Sequence, residues 1–405
     1  MKKIIFLIAI TFLGATVSPA QGILDKIKMK TKQRADAKVD KTIDKGLDKV
    51  EDAGKGNNNK ADNSNNTNDQ KQSANSSSAP SLKVYQNYDF VPGDKILFED
   101  NFIDDQDGEF PAHWELIAGQ AVANKIKGEL ALFLTEGNYV RVKPRMKTES
   151  YLTDPFTVEY DMYSVPGAYG VITMLKFKNK DESESESSVG VDPSEVSYVG
   201  RPNEVEVRFE KTLSEGVGGE NFYNKWHHVA IAYKNKQLKI YVDQNRILVV
   251  PDTKVNFERA EFAGIGETDH PLIFKNVRIA AGGDMNMIGK KFTESKIVTH
   301  GINFDIDKAT IKPESMGTLN MIVQVLKDNP DIKFEVDGHT DNSGTAAHNL
   351  TLSQQRADAV KDQLVKMSID ASRLSAKGFG DSKPISDNTS LEGKANNRRV
   401  EFVKM

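Results

Sequence analysis

Short runs of alternating apolar and polar residues fill the middle of the chain. In TVEYDMY the residues Val158, Tyr160 and Met162 fall on one face, and HVAIAY and LKIYV alternate in the same way. Polar turns separate these runs, as in KNKQ between the last two. Period-two runs joined by polar turns predict antiparallel strands whose apolar faces pack together. We therefore expect an all-β sandwich over residues 84–285, with strands of five to seven residues and a solvent-exposed loop over residues 178–190.

A different pattern, in which strands alternate with helices, occupies residues 292–405. Pro313 suits the first turn of a helix, and Asn329-Pro330 suits its end. A second helix is predicted from 351 to 367, with the runs IVTHGINF, IKFEV, RLSAKGFG and RRVEFV as strands. This order predicts a second, α/β domain of βαβαβ-β type with a mixed sheet. The residues expected to face inward from the two helices are Met316, Leu319, Val323, Leu326, Ala357, Val360, Leu364 and Met367.

The N-terminus has the pattern of an export signal. The basic MKK precedes the apolar run IIFLIAITFLGATV, which is shorter than the ~20 residues a membrane-spanning helix needs. Small residues at Ser18 and Ala20 then fit a cleavage site. We expect a signal peptide over residues 1–20, with an uncleaved anchor as the alternative, and no transmembrane segment in the mature chain.

Two polar segments follow the predicted signal peptide. Residues 21–52 are rich in Lys and Asp and carry a narrow apolar stripe of helical spacing, from Val39 to Val50. They predict a charged amphipathic helical segment, either solvated and partly formed or lying on a partner. Residues 53–83 consist mostly of Asn, Ser, Gln and Lys, which offer little apolar surface to bury, so we expect a disordered linker.

Composition narrows the classes of function. The formal net charge of −4, from 54 basic and 58 acidic residues, gives no support for nucleic-acid binding. The chain has 0 cysteines, which excludes disulfides, thiolate metal sites, a cysteine nucleophile and a lipid-modified N-terminal cysteine.

Five separated blocks in the last 110 or so residues carry a specific resemblance. The blocks are NFDIDKATIKPES, GHTDNSG, NLTLSQQRADAV, GFGDSKPISDN and NNRRVEF, in that order. In order and spacing they closely resemble the OmpA C-terminal-like family, whose domain grips peptidoglycan. The resemblance implies that the ligand is the diaminopimelate of the stem peptide.

The chemistry of diaminopimelate explains the residue types at two of these positions. Its free end carries an ammonium beside a carboxylate, so a pocket needs one anion and one fixed cation. Asp341 ends a strand, and Arg356 follows fifteen residues later in the next helix. The resemblance assigns the ammonium to Asp341 and the carboxylate to Arg356, whose planar fork can bind it with two hydrogen bonds. Supporting contacts carried over by position are Phe304, Asp305, Thr340, Asn349, Leu352 and Arg399.

Several of these residues also have structural interpretations. His339 suits packing better than ligand binding, and Gly338 suits a tight strand exit. Asn349 could cap the helix, and Arg398 and Arg399 could form ordinary salt bridges. Asp341 and Arg356 could also pair with each other in a purely structural salt bridge.

The middle domain resembles laminin-G-like and concanavalin-A-like jelly rolls. KWHHVAIAYKNKQLKIYVDQNRI is similar to their central hairpin, and ILFEDNF and PLIFKNVRIAAGG are similar to their first and last strands. Some jelly rolls cleave polysaccharides with a Glu-x-Asp-x-x-Glu run. Here Glu159-Tyr160-Asp161 is followed by Ser164 at the third position, and EVEVRFE lacks the Asp. We therefore expect no enzymatic activity.

Two ligand types remain for the middle domain. Trp114 and Trp226 could stack on sugars, although a buried tryptophan is the commoner outcome. A structural calcium ion could bind near DDQDGE, residues 104–109, with Glu99 and Asp100, but Lys275 lies where an acidic partner would be expected. His227 and His228 are neighbours on a strand and point to opposite faces, so they cannot share an ion.

The sequence as a whole predicts a non-enzymatic envelope protein of a Gram-negative bacterium, in the periplasm or at the outer membrane. It would bind peptidoglycan and link the outer membrane or an envelope partner to the wall. A glycan or an outer-membrane protein is the expected partner of the sandwich. The alternative is a surface adhesin or carbohydrate-binding protein whose C-terminal domain is only an anchor.

Overall fold

A computed structural model describes residues 88–283 and 292–405 of the 405-residue chain. The predicted signal peptide, charged segment and linker (residues 1–20, 21–52 and 53–83) lie outside the described residues.

Thirteen strands, each antiparallel to its neighbours, form the first domain, residues 88–283. They run in the order β11-β10-β9-β4-β13-β3-β12-β5-β6-β7-β8, with β1 added on β13 and β2 on β3. Strands β8 and β11, at the two ends of this order, come into contact, so the sheet folds over one core. The β-rich domain is confirmed, whereas the jelly-roll connectivity stays a prediction. The strands are β1 Lys95–Asp100, β2 Trp114–Ile126, β3 Glu129–Pro144, β4 Phe156–Tyr163, β5 Val171–Lys178, β6 Glu184–Val191, β7 Glu195–Gly200, β8 Val207–Thr212, β9 Trp226–Lys234, β10 Gln237–Val242, β11 Asn245–Val250, β12 Arg259–Gly266 and β13 Leu272–Ala281.

Aromatic side chains fill the centre of this sandwich domain. Trp114 is fully buried, and its ring centre lies 5.4 Å from that of Phe98 and 5.9 Å from that of Phe274. Phe262 packs on Phe274 at 5.3 Å. Aromatic pairs at these separations each add about 0.5–1.5 kcal/mol beyond the burial of their apolar area. The alternation seen in the sequence brings these rings to one side of their strands.

Two local expectations for this domain were wrong. The strands are not limited to five to seven residues, since β2 has 13 and β3 has 16. Part of residues 178–190 is strand β6 rather than a solvent-exposed loop. Its serines are buried because the sheet satisfies them, and Tyr198 donates its hydroxyl proton to Ser187 Oγ over 3.0 Å.

The second domain, residues 292–405, contains a four-stranded sheet with helices. The sheet order is β14-β17-β15-β16, in which β15 and β16 are parallel and the other pairs antiparallel, so the predicted mixed sheet is confirmed. Helix α2 begins five residues before the predicted 351, because the Thr345 side chain accepts a hydrogen bond from His348 N–H and caps it. The elements are β14 Lys296–Thr299, α1 Met316–Asp328, β15 Phe334–His339, α2 Ala346–Lys366, β16 Leu374–Gly380, α3 Leu391–Asn397 and β17 Val400–Lys404.

Two glycines set the distance between helix α2 and the sheet. Gly338 on β15 and Gly378 on β16 are paired neighbours. A Cβ at Gly338 would lie 2.3 Å from Ser353 O, and one at Gly378 would lie 2.3 Å from Gln354 N. The helix backbone therefore rests directly on the strands, which is the role of Gly338 rather than the tight strand exit expected from the sequence.

The two domains share a hydrophobic interface. Ala230 and Tyr241 of the sandwich belong to one cluster with α1, and Tyr88 and Phe90 complete that cluster. Gly317 in the first turn of α1 allows this approach, because a Cβ there would lie 1.8 Å from Phe90 O. One face of the sandwich is therefore covered by the second domain.

Among the described residues, no helix combines the length and the apolar character that a membrane crossing requires.

Candidate functional site

Asp341 lies just beyond β15, where the strand passes into the loop before α2. It is 8% exposed, and its Oδ1 accepts a hydrogen bond from Ser343 N–H over 2.9 Å. Asn349 braces the loop from the helix by donating Nδ2–H to Asp341 O over 3.1 Å. Thr345, not Asn349, is the helix cap, so the predicted capping alternative for Asn349 is wrong. The loop holds the Asp341 carboxylate in a fixed place.

The surroundings of Asp341 keep its carboxylate charged. Burial opposes the charge, but the hydrogen bond from Ser343 and the guanidinium of Arg398 together lower its pKa below the usual value. Arg398 Nη1 lies 2.5 Å from Asp341 Oδ2. The site therefore contains an anion of the kind that an ammonium would need.

Arg356 sits on α2 against the loop of residues 304–312. Its Nε–H donates to Lys308 O over 2.9 Å, its Nη2–H reaches Asp305 O at 3.5 Å, and its guanidinium lies 4.9 Å from the centre of the Phe304 ring. Burial lowers the pKa of Arg356, and within the described ranges no carboxylate forms an ion pair with it. An arginine stays charged even so. This is a half-buried cation without an acidic partner.

Asp341 lies in the loop between β15 and α2, and Arg356 lies on α2. Burial lowers the pKa of Arg356, and the charge of Asp307 and, to a smaller extent, that of Asp341 oppose this lowering. No ion pair between them occurs in the part of the chain that the structure describes. The interpretation of the pair as a structural salt bridge is therefore wrong.

The other predicted residues surround this pair. The Thr340 hydroxyl is buried and has no hydrogen-bond partner among residues 88–283 and 292–405. Phe304 forms an isolated bridge with Ile311, and Asp305 N–H donates to Thr310 O, so both belong to the loop under Arg356. Leu352 is buried on α2.

Arg399 has structural partners, and its neighbour Arg398 reaches the site. Arg399 donates Nε–H to Glu401 over 2.7 Å and Nη2–H to Lys383 O over 3.1 Å. Both arginines form salt bridges, as the structural interpretation expected, but the one that Arg398 makes with Asp341 lies in the site. Of this adjacent pair, the resemblance assigned a ligand contact to Arg399, whereas the contact with Asp341 is made by Arg398.

The candidate carboxylates of the sandwich do not form an open cleft. Glu159 and Asp161 lie on one face of β4, and the His228 ring lies between them, 2.8 Å from Asp161 Oδ1 and 3.4 Å from Glu159 Oε2. Lys312 and Glu314 of the second domain act electrostatically on this group. The arrangement belongs to the interface between the domains.

The two tryptophans have different environments. Trp114 is 0% exposed and donates Nε1–H to Asp100 Oδ2 over 2.9 Å, so it cannot stack on a sugar. Trp226 is partly exposed, and Lys275 Nζ covers its ring at 4.2 Å.

The calcium interpretation receives no support from Glu99. Glu99 binds Arg278 and Arg398, while Asp100 accepts Phe102 N–H over 2.8 Å on the opposite face of the strand. Asp100, Asp105 and His113 bring one ligand atom each within 4.8 Å of one another. Two carboxylates and an imidazole supply fewer oxygens than the six to eight that calcium takes. Lys275 pairs with Glu129 and is not part of this group.

Comparison with known proteins places the second domain in a family. The model of the OmpA family matches residues 303–398. Outer membrane porin F of Pseudomonas fluorescens is 45% identical over 100 residues, which are 25% of this chain and 31% of that protein. Peptidoglycan-binding protein ArfA of Mycobacterium bovis is 40% identical over 107 residues, 26% of this chain and 33% of that protein.

The chain spans about a third of the length of both relatives. Among solved structures, the carbohydrate binding module CBM66 from Bacillus subtilis covers 43% of this chain and 99% of its own, with 17% identity and a TM-score of 0.31. The chain carries a C-terminal domain of the OmpA family, over residues 303–398.

Proposed function

We propose that this protein is a non-enzymatic component of the cell envelope whose OmpA domain binds peptidoglycan through the diaminopimelate of the stem peptide. Asp341 binds the ammonium at the free end of that residue, and Arg356 binds the neighbouring carboxylate. Support for the ligand class comes from ArfA, a relative that is itself named a peptidoglycan-binding protein.

The observation that carries the proposal is that Arg356 has no carboxylate partner among the described residues. A cation that is partly removed from water is costly unless it is paired, and such groups cluster at functional sites. The guanidinium of Arg356 is held by Lys308 O and the Phe304 ring, with no carboxylate bonded to it among the described residues. A ligand carboxylate would supply the missing charge with two parallel hydrogen bonds.

The Thr340 hydroxyl also favours a ligand next to Asp341. The buried Thr340 hydroxyl follows β15 directly and precedes Asp341 in the chain. A buried hydroxyl without a partner costs free energy, which a bound polar ligand would recover. Thr340 would contact the ligand next to its ammonium.

The proposal also includes the location of the protein and the role of the sandwich domain. A predicted export signal and a predicted linker precede the sandwich, so the protein would reach the periplasm or outer membrane of a Gram-negative bacterium. The sandwich would connect an envelope partner to the wall. Because Glu159 is buried and both Glu159 and Asp161 lie against the His228 ring, the proposal assigns no hydrolysis to them.

Co-sedimentation with purified sacculi that contain diaminopimelate tests the proposal. We expect the wild-type chain to sediment with the sacculi and the variants Asp341→Ala and Arg356→Ala to stay in the supernatant. Matched controls are Asp358→Ala and Lys366→Ala, which remove the same charges from exposed positions on α2. Sedimentation of both site variants at the wild-type level contradicts the site.

A further inference from the structure

Asn396 fastens the end of α3 to the first strand of the sandwich. Its Nδ2–H donates to Ile96 O over 2.9 Å, and its Oδ1 accepts Ile96 N–H over 3.0 Å. A single side chain thus satisfies both backbone groups of Ile96 on β1. The residues that follow Asn396 leave from a fixed point on the sandwich.

Glu99 lies three residues after Ile96 on the same strand and binds two guanidinium groups. Arg278 of β13 donates to Glu99 Oε1 from Nε over 2.9 Å and from Nη2 over 2.7 Å. Arg398 of the second domain binds Glu99 Oε2. Burial opposes the charge, yet the two arginines lower the pKa of Glu99 to about 2. Glu99 is therefore a charged carboxylate.

Arg398 connects this carboxylate to the candidate site. One end of its guanidinium binds Glu99 of the sandwich, and the other end lies 2.5 Å from Asp341 Oδ2. The Arg398 side chain is 41% exposed, whereas those of Glu99 and Asp341 are 16% and 11% exposed. A ligand approaching Asp341 from solvent would meet this bridging guanidinium.

We propose that Glu99 of the sandwich is a positioning residue for the stem-peptide site of the OmpA domain and acts through Arg398. The inference rests on the proposed function, since it concerns the same ligand at Asp341. It makes the binding site a product of both domains.

Glu99 should increase the affinity for the ligand, because Arg398 binds both Glu99 and Asp341. An ammonium that binds Asp341 must share this carboxylate with Arg398. Glu99 offers Arg398 a second anion, so Asp341 is only partly neutralised. Without the charge of Glu99, Arg398 keeps Asp341 as its one carboxylate in the described structure. Arg278, which then retains only Glu159 at 3.9 Å as a carboxylate partner, still repels Arg398. Asp341 then attracts the ligand ammonium less.

Isothermal titration calorimetry of the full chain with a diaminopimelate-containing muropeptide tests this inference. We expect Glu99→Gln to raise Kd about tenfold, within the usual range of coupling between sites. Glu99→Asp, which keeps the charge, restores affinity to within about threefold of wild type. In an Arg398→Met background, Glu99→Gln causes no further loss, because the residue that transmits its effect is absent.

Glu392→Gln is the matched control. It removes the ion pair between Lys147 and Glu392 (3.4 Å), which also joins the two domains but does not contact Asp341. We expect its Kd to equal that of wild type.

The outcomes separate the two proposals. If the wild-type chain does not bind, or Asp341→Ala binds normally, the proposed function fails and this inference fails with it. If Asp341→Ala abolishes binding but Glu99→Gln leaves Kd unchanged, only the inference is overturned. An equal loss from Glu99→Gln with and without Arg398 also overturns it, since the effect would not pass through Arg398.

Discussion

The guanidinium of Arg356 lies 4.9 Å from the centre of the Phe304 ring. This ring belongs to the loop before α1, whereas Arg356 belongs to α2. The contact, together with the hydrogen bond to Lys308 O, fixes the cation beside Asp341 without neutralising it. The position of Arg356 therefore depends on a loop that precedes it by about 50 residues in the chain.

Replacing the ring tests its contribution to ligand binding. Phe304→Leu keeps an apolar side chain but removes the π face. A cation–π contact of this kind contributes about 0.5–1 kcal/mol. We expect a two- to fivefold rise in Kd for the muropeptide in calorimetry, with an unchanged melting temperature. A variant that binds as tightly as wild type would show that Lys308 O alone orients Arg356.

Gly317 controls the contact between the two domains. Gly317→Val places a side chain where a Cβ already falls 1.8 Å from Phe90 O, so the helix or residues 88–90 must move. We expect a loss of about 1–3 kcal/mol in the free energy of unfolding, measured by urea denaturation. Gly216→Ala, where nothing lies within 4 Å of the added Cβ, is the control and should change stability by less than about 0.5 kcal/mol. Equal stability of the two variants would contradict the close approach.

His228 predicts a pH dependence of stability. Burial works against its charge, but the hydrogen bond to Asp161 and the nearby Glu159 carboxylate raise its pKa well above the usual 6.5. A raised folded pKa means that the stabilisation is complete below the unfolded pKa and is lost as pH rises towards the folded pKa. We expect the stability difference between wild type and His228→Gln to fall by about 1.4 kcal/mol per pH unit above pH 7.

His270→Gln, at a more exposed position, is the control for that experiment. Urea unfolding from pH 6 to pH 9 measures all three proteins. A constant difference between wild type and His228→Gln over this range would show that the imidazole is neutral in the folded protein.

Asp337 on β15 is paired with Glu401 on β17. Substituting each by its neutral amide should change the free energy of unfolding in opposite directions. Burial and the charges of Glu335 and Glu401 raise the pKa of Asp337 to about 6, whereas Lys296 and Arg399 offset burial and lower that of Glu401. Ionised Asp337 therefore opposes folding above pH 6. We expect Asp337→Asn to gain about 1–3 kcal/mol at pH 7.5 and to lose this gain as the pH falls from 6 to 4.

We expect Glu401→Gln to change the free energy of unfolding in the opposite direction. Its lowered pKa means that the charged form stabilises the fold at neutral pH, so the variant should be less stable than wild type at pH 7.5. Destabilisation by both substitutions at this pH would contradict the assignment for Asp337.

Much of the fold could be predicted from local pattern. The inward face of α1, from Met316 to Leu326, is buried as its spacing indicated. Strand β6 was not predicted, because a serine-rich sequence is typical of an exposed loop. Ser187 is buried in the sheet, where the hydroxyl of Tyr198 forms a hydrogen bond with it. The docking of α1 on the sandwich also has no local signal, since it depends on Phe90 meeting Gly317.

The site was predictable only in part, for a similar reason. Asp341 and Arg356 stand in motifs, so the sequence alone could propose them as the site. The resemblance assigned a ligand contact to Arg399, whereas Arg398 contacts Asp341 and also binds Glu99, about 300 residues away. Contacts between domains leave no periodicity for sequence analysis to detect.

The affinity of the full chain for a diaminopimelate tripeptide, divided by its affinity for the matching lysine tripeptide, tests the central claim most directly. The two peptides differ in the carboxylate assigned to Arg356. The account predicts a wild-type preference of about 10- to 100-fold, which disappears in Arg356→Ala. A wild-type chain that binds both peptides equally, or an Arg356→Ala variant that keeps the preference, would contradict it.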